Sequence, residues 1–477
     1  MLTESEVSYR SAFDIAADVA ARRLSPVEVV ETLLARIGRL NPVLNAYCTL
    51  VPEQALEEGR QAEAAVMRGA ILGPLHGVPV SIKDLIATRG IRTTRGSRIW
   101  ENWVPEQDAP VVERVRAAGA IVLGKTNTPE IGWKGVTDNP VFGATRNPWD
   151  VSRTPGGSTG GGSAQVAAGL GPIAIGTDGG GSLRIPAAFT GCYGFKPSFG
   201  RVPMYPQSPN ASVAHCGRLT NTVRDAALVL SVLAGPDDRD RLSLPASDTN
   251  YLEAVSEGAV ATSLRGLKVA WCADFGWGYW PVEPEVLNVT RSAAQRLVDF
   301  GCDVIEVRPD WLGPMEAWNT IFYGGIVGQV GPTLEQTRQL LDPGLLRIIE
   351  TYLTDSLQAF VQADVARTSF WDQVRHFFGQ YALLLTPTVP LPAFPLDQDT
   401  PGTVSGRLPN GLGWSLFTYP FNLTGQPAAS LPAGLTSDGL PIGLQIVGRR
   451  HADALVLTAS AAFEAAQPWG DRRPPLN

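Results

Sequence analysis

The chain has 477 residues and sets 39 lysines and arginines against 46 aspartates and glutamates, a formal charge of −7. That acidic balance, with no lysine-rich run, makes it a poor nucleic-acid or anionic-membrane binder, and 44% hydrophobic residues describe a globular chain, not a disordered one. Only five of the cations are lysine (Lys83, Lys125, Lys134, Lys196 and Lys268), so each lysine in an unusual context calls for an explanation.

The N-terminal segment is acidic and polar, without the basic stretch and apolar core of a secretory signal. No apolar run nears the roughly 18 residues of a membrane-spanning helix. Cys48, Cys192, Cys216, Cys272 and Cys302 are odd in number and form no CxxC pair, which predicts free thiols in a reducing compartment. The four histidines, His76, His215, His376 and His451, are scattered. The expectation is a soluble, cytoplasmic protein with no metal and no cofactor.

Along the chain, Ser25-Pro26-Val27-Glu28 is a capping box with proline at the first helical position. Val27, Val30, Leu34 and Ile37 then share a helical face, and Asn41-Pro42 is expected to stop the helix. A second helix is expected over 54–68, and Val78 to Lys83 reads as a short strand weakened by Pro79. From Pro110 helix–strand pairs recur. PVVERVRAAG precedes AIVLGKT, GGSAQVAAG precedes PIAIGTD, VLNVTRSAAQRLVDFG precedes CDVIEV, and DVARTSFWDQVRHFFGQ precedes YALLLTP. A last strand, LPIGLQIVG, leads into the helix ADALVLTASAAFEAA. Alternating strands and helices predict an α/β fold, a sandwich of helices around a largely buried sheet. Residues 236–250 and 389–413 read as surface loops, the second lying over a site. Because the alternation resumes after each loop, residues 1–477 read as one domain.

The densest chemistry runs from Pro155 to Pro203. It contains PGGSTGGGSAQVAAG, then GPIAIGTDGGGSLRIPAAFTG, then CYGFKPSFGRVP. Ser182 follows three glycines at the end of an apolar strand. That setting suits a nucleophile whose own loop supplies backbone N–H groups to an oxyanion. Gly/Ser runs are usually flexible linkers, but this one is flanked on both sides by strongly patterned elements. Ser158 lies 24 residues earlier, in GGSTGG. Lys83 ends an apolar strand with Val78, Val80 and Ile82 around it. Desolvation disfavours a charged lysine, and a neutral lysine is a base.

These segments resemble the amidase signature family of Ser–cis-Ser–Lys amide hydrolases. Gly156 to Pro186 is similar to the signature itself, and GVPVSIKD to the family's lysine segment. The spacings of 75 residues from Lys83 to Ser158 and 24 from Ser158 to Ser182 both fit. AGAIVLGKTNTPEIG, NPVFGATRNPWD, GFKPSFGRVP and LPIGLQIVGRR carry the likeness over most of the chain, and it is weakest between about 236 and 384. The resemblance implies a mixed central sheet, a signature core over about 78–205, and a triad. Ser182 would form an acyl-enzyme. Ser158, preceded by a cis bond, would bridge Ser182 to Lys83, and Lys83 would be the general base. Backbone N–H groups of Gly179, Gly180, Gly181 and Ser182 would form the oxyanion hole, braced by Asp178 and Arg184. Trp414, Phe417 and Tyr419 fall in a segment that lines the pocket in this family, and Trp133 is a further lining candidate. The implied partner is a small-molecule amide, and a homodimer is a common arrangement in the family. Lowering a lysine from about 10.4 to about 7–8 costs roughly 4 kcal/mol, which a buried site supplies.

Three residues depart from the family pattern. Thr159 and Gly162 stand where serines are common, and Gly179 replaces a bulkier residue, which is expected to widen the space beside the oxyanion hole. GAIVLGKT formally matches a phosphate-binding loop, but its interior AIVL is itself a strand with the helix before it, so Lys125, like Lys134, reads as structural or surface. His76 lacks a carboxylate partner and reads as packing, and Cys192 reads as a structural thiol. Two rival readings remain. One is the glutaminase subunit of a tRNA-dependent amidotransferase, disfavoured because Ser415 stands where that subfamily has an aspartate. The other is a non-catalytic scaffold, disfavoured because Lys83, Ser158 and Ser182 occur together.

Overall fold

The computed structural model describes residues 2–208, 210, 212–278, 280–402 and 413–476. Within them, β1 (Tyr47–Leu50), β2 (Pro79–Lys83), β3 (Ile121–Thr126), β4 (Ile173–Asp178), β5 (Tyr193–Lys196), β6 (His215–Thr220), β7 (Lys268–Trp271), β8 (Asp303–Glu306), β9 (Leu383–Pro387), β10 (Ala428–Leu435) and β11 (Pro441–Gly448) form one sheet. Its order is β1-β3-β2-β4-β6-β5-β10-β11-β9-β7-β8. It is mixed: β2 runs parallel to both β3 and β4, whereas β4–β6, β5–β10 and β10–β11 are antiparallel.

Successive side chains of a strand point to opposite faces. Leu383 and Leu385 of β9 and Leu444 and Ile446 of β11 enter one hydrophobic core, while Leu384 and Val447 enter another. The sheet is therefore covered on both sides, which is the α/β/α sandwich expected from the helix–strand alternation. In β2, Val80 and Ile82 face the first core, so the two-residue period turns Lys83 to the opposite face.

The helix at Pro26–Leu44 starts where Ser25 Oγ accepts the N–H groups of Val27 and Glu28. Its buried stripe is Val29, Val30, Leu33, Ile37, Leu40 and Leu44, with Val27 and Leu34 only half-buried. Pro42 does not end it. The helix tolerates the missing N–H in its last turn and stops at left-handed Asn45, where Asn41 Oδ1 accepts the N–H groups of Ala46 and Tyr47 at 2.9 and 2.8 Å. Residues 236–250 have no regular structure and are largely exposed. The expected loop at 389–413 differs. Val389, Leu391, Ala393 and Phe394 are buried, because Phe394 packs edge-on against Trp414 and Phe189. Residues 403–412 lie outside the described residues.

The weakly patterned middle of the chain folds into helices, notably Met315–Val330, Pro343–Tyr352 and Leu357–Phe377, that build the second core. All five cysteines are free. Among the described residues no helix is long and apolar enough to cross a membrane.

Candidate active site

Lys83 is fully buried at the end of β2. Its Nζ lies 2.7 Å from Ser158 Oγ, 3.0 Å from Thr159 Oγ1 and 3.1 Å from Thr177 Oγ1. Burial pulls the amine down to about 7, against Asp178 and Cys216, whose charges favour the ammonium. Thr159 Oγ1 donates its own proton to Thr177 O at 3.1 Å, so it can only accept from Lys83. A neutral amine has two N–H donors and one lone pair. With Thr159 and Thr177 as acceptors, the lone pair faces the Ser158 hydroxyl.

Ser158 stands just before the helix Gly160–Ala167, and the Gly157–Ser158 bond is cis. The whole run from Thr154 to Gly176 is buried, as a flexible linker would not be. Ser158, Thr177, Gly179 and Ser182 line one cavity of about 120 Å³. Its other walls come from Leu85, Ile86, Ile131, Tyr205 and Phe322. Gly132 makes room at its floor: a Cβ there would sit 3.2 Å from Ser158 Oγ and 2.9 Å from Leu85 Cδ1. The Ile131–Gly132 segment has left-handed backbone at both residues. It is anchored by buried Glu130, which accepts from Ser97 Oγ at 2.5 Å and from the Asp342 N–H at 2.6 Å.

The turn 179–182 is fixed by Asp178. Its carboxylate accepts the N–H of Gly181 at 2.7 Å and of Leu183 at 3.1 Å. Arg184 Nε and Nη2 form a two-pronged pair with the same carboxylate at 3.0 and 2.9 Å. Burial alone would raise Asp178, but the Arg184 guanidinium overrides it and holds the carboxyl far below the usual carboxylate range. Arg184 is itself held by Thr418 O, Gln445 Oε1 and Asn422 Oδ1. Of the four backbone donors expected to face an oxyanion, Gly181 is therefore turned to Asp178, which leaves Gly179, Gly180 and Ser182.

The carbonyls of the turn are also tied. Trp318 Nε1 donates to Gly179 O at 3.0 Å and Thr418 Oγ1 to Gly180 O at 2.7 Å. The extra space expected beside Gly179 is filled: a Cβ on it would meet Phe322 Cε2 at 2.8 Å, and one on Gly180 would meet Trp318 Cζ2 at 2.5 Å.

The four aromatic lining candidates are not in the cavity wall. Trp414 stacks on Phe189 with centroids 6.1 Å apart, Phe417 packs on Phe275 at 5.2 Å, and Tyr419 lies against Trp318 at 5.4 Å. Trp133 is buried where the Pro343–Tyr352 helix begins, touching Gly344. All four serve the second core. The aromatic wall comes instead from Phe322 and Tyr205, which no sequence motif singles out. Thr159 stands out in the sequence only as a departure from the family pattern, although a hydroxyl next to Ser158 is a signal for a lysine ligand.

Lys125, Lys134 and Lys196 have structural partners. Lys125 is buried in β3 and donates to Ile86 O, Thr88 Oγ1 and Thr93 Oγ1, so GAIVLGKT holds a strand and no phosphate loop. Lys134 pairs with Asp138, Asp342 and Asp399. Cys192 is buried, its thiol pushed up to about 12 by desolvation, and His76 Nε2 bonds Ala62 O at 2.9 Å. Among the described residues no group of three or more His, Cys, Asp or Glu side chains is placed to hold a metal ion.

The chain is similar to known proteins over nearly its whole length. The chain is 41% identical to an acylamidase of Rhodococcus erythropolis, over 99% of this chain and 98% of the relative. It is 37% identical to a glutamyl-tRNA(Gln) amidotransferase subunit of Moorella thermoacetica, over 99% of both. The crystal structure of a bacterial aryl acylamidase of the amidase signature enzymes superposes with a TM-score of 0.89 at 34% identity, covering 97% of each chain. A family model described as Amidase matches residues 28–457. By sequence over nearly its whole length and by fold, the chain belongs to the amidase signature family.

Proposed function

We propose that the protein hydrolyses carboxylic amides through an acyl-enzyme on Ser182. Ser182 Oγ attacks the amide carbonyl carbon, and its proton passes through the Ser158 hydroxyl to neutral Lys83 Nζ. The developing oxyanion is met by N–H groups of Gly179, Gly180 and Ser182. The Lys83 ammonium returns the proton through Ser158 to the amide nitrogen, the C–N bond breaks and the amine leaves. Water, deprotonated along the same route, then attacks the Ser182 ester and releases the carboxylate. The observation that carries this reading is the 2.7 Å contact of a fully buried Lys83 with Ser158, on a cavity that Ser158 and Ser182 both line.

The reaction names of the acylamidase relative and the aryl acylamidase structure favour acyl and aryl amides as substrates. The identity to an amidotransferase subunit keeps glutamine as a second candidate, against which Ser415 stands. The test is a fluorophosphonate adduct read by intact mass, followed by a panel of aliphatic amides, anilides, carbamates and L-glutamine. A one-to-one adduct that Ser182→Ala loses, with turnover of anilides above glutamine, is expected. An undiminished adduct on Ser182→Ala overturns the nucleophile assignment, and turnover of glutamine alone overturns the substrate class.

A further inference from the structure

Arg95 is the one charged side chain in the wall of the reaction cavity among the described residues. Its guanidinium packs on two indoles, with Cζ 4.9 Å from the Trp100 ring centre and 4.8 Å from that of Trp103. Nε is buried and has no hydrogen-bond partner. No ion pair joins the group to a carboxylate among the described residues. The backbone holds it there in a left-handed conformation, φ 56°, which an arginine seldom adopts. The Arg95 N–H donates to Asp84 O at 3.1 Å, and its carbonyl accepts the N–H of Ile131, next to the glycine that clears space for Ser158.

Asp84 is the acid whose charge acts on Arg95. That carboxylate is already engaged by Thr94, which donates to it through both N–H and hydroxyl, and it also faces the buried Lys125. Asp84 thus divides its charge between Arg95 and Lys125, and only Lys125 is also reached by Asp108. The same wall carries apolar Leu85, Ile86, Val111, Ile131 and Phe322, and its polar members, among them Gln207, Ser208, Asn210 and Gln329, bear no charge. A guanidinium left without a counter-charge on such a wall is costly unless a ligand supplies one.

We propose that Arg95 is a specificity-determining residue that binds a carboxylate carried by the substrate away from the scissile amide. The cavity then takes an amide with an apolar body and an acidic end. Cation–π contacts with the two indoles hold the guanidinium in place while its Nε makes no hydrogen bond, and a guanidinium is matched by a carboxylate through two parallel hydrogen bonds. The inference deepens the hydrolase reading above and rests on it for the place of the scissile bond.

The test compares kcat/KM within two matched pairs. Glutaric acid monoanilide against hexananilide places the acid on the acyl side. 4-(Butyrylamino)benzoate against 4′-methylbutyranilide places it on the amine side. In at least one pair the acid should be preferred by about tenfold or more, mostly through KM. Arg95→Leu should remove that preference and Arg95→Lys should restore part of it. Equal rates within both pairs, or a loss in Arg95→Leu that falls equally on acid and neutral members, would overturn the proposal. A second readout separates this from failure of the hydrolase reading: calorimetric binding of glutaric acid monoanilide to Ser182→Ala. Tight binding that Arg95→Leu removes supports the carboxylate site even if no anilide turns over, and binding indifferent to Arg95 sinks it.

Discussion

Gly179 and Phe322 meet where a side chain on the 179–182 turn would otherwise stand. The ring lies 2.8 Å from the position a Cβ on Gly179 would take, so backbone and aromatic wall are fitted to each other. Gly179→Ala should lower kcat by about tenfold or more by pushing the turn off its donors. Adding Phe322→Leu should recover part of that loss. Steady-state kinetics of the two single variants and the double variant check it, and a strictly additive double variant would disprove the coupling.

In the proposed mechanism the pH dependence of the rate follows from Lys83. Burial brings its amine down to about 7, and the amine must be neutral to act as base. The rate should climb about tenfold per pH unit below 7 and level off above about 8. Lys83→Ala should lose roughly 10²–10⁴-fold in the acylation step. A rate maximum near pH 5 in wild type would exclude the neutral-lysine mechanism.

The same lysine weakens the fold. Its folded pKa lies below the unfolded value of about 10.4, so between 7 and about 10 the unfolded chain binds more protons and stability rises with pH. The cost is therefore complete below pH 7 and gone above about pH 10. Lys83→Met should show its largest gain in Tm over wild type near pH 6 and a smaller one near pH 9. Thermal unfolding at the two pH values measures the difference.

Arg184 neutralises a carboxylate that has no solvent to turn to, since both side chains are fully buried. Arg184→Leu should destabilise by about 3–5 kcal/mol, because it leaves the Asp178 charge buried and unpaired. Denaturant titration gives that number, and soluble protein that survives should have lost turnover through the displaced 179–182 turn.

Trp414 makes the opposite forecast. It belongs to the second core and does not line the cavity. Trp414→Ala should cost about 3–5 kcal/mol of stability while the KM for a small anilide stays within about twofold. A KM that rises tenfold in folded protein would return Trp414 to the pocket.

Part of this molecule is legible from sequence because its causes are local. The Gly/Ser run with Ser158 and Ser182, and the apolar alternation that carries Lys83, are short-range patterns. So are the helix–strand pairs that give the sandwich. Strands such as β5 and β6 are not legible, since YGFK and HCGRLT show no clean alternation and are strands through pairing with their neighbours. The cavity wall is not legible either. Trp318, which ties down Gly179 O, is 139 residues away along the chain. Which aromatic residues reach the cavity depends on how the Met315–Val330 helix lies over the loop, and aromatic content alone holds no record of that. Gly132 is in the same position, because its need for a bare backbone exists only once Ser158 is packed against it.

The scarcity of lysine has a practical side. Lys83, Lys125, Lys134 and Lys196 are all buried, and Lys268 at the start of β7 is exposed. Amine-reactive reagents should therefore find a single side chain on the native protein. Apart from the α-amine, crosslinkers, dyes and activated resins would attach through that one side chain, and the appearance of further labelled lysines would serve as a sensitive gauge of unfolding.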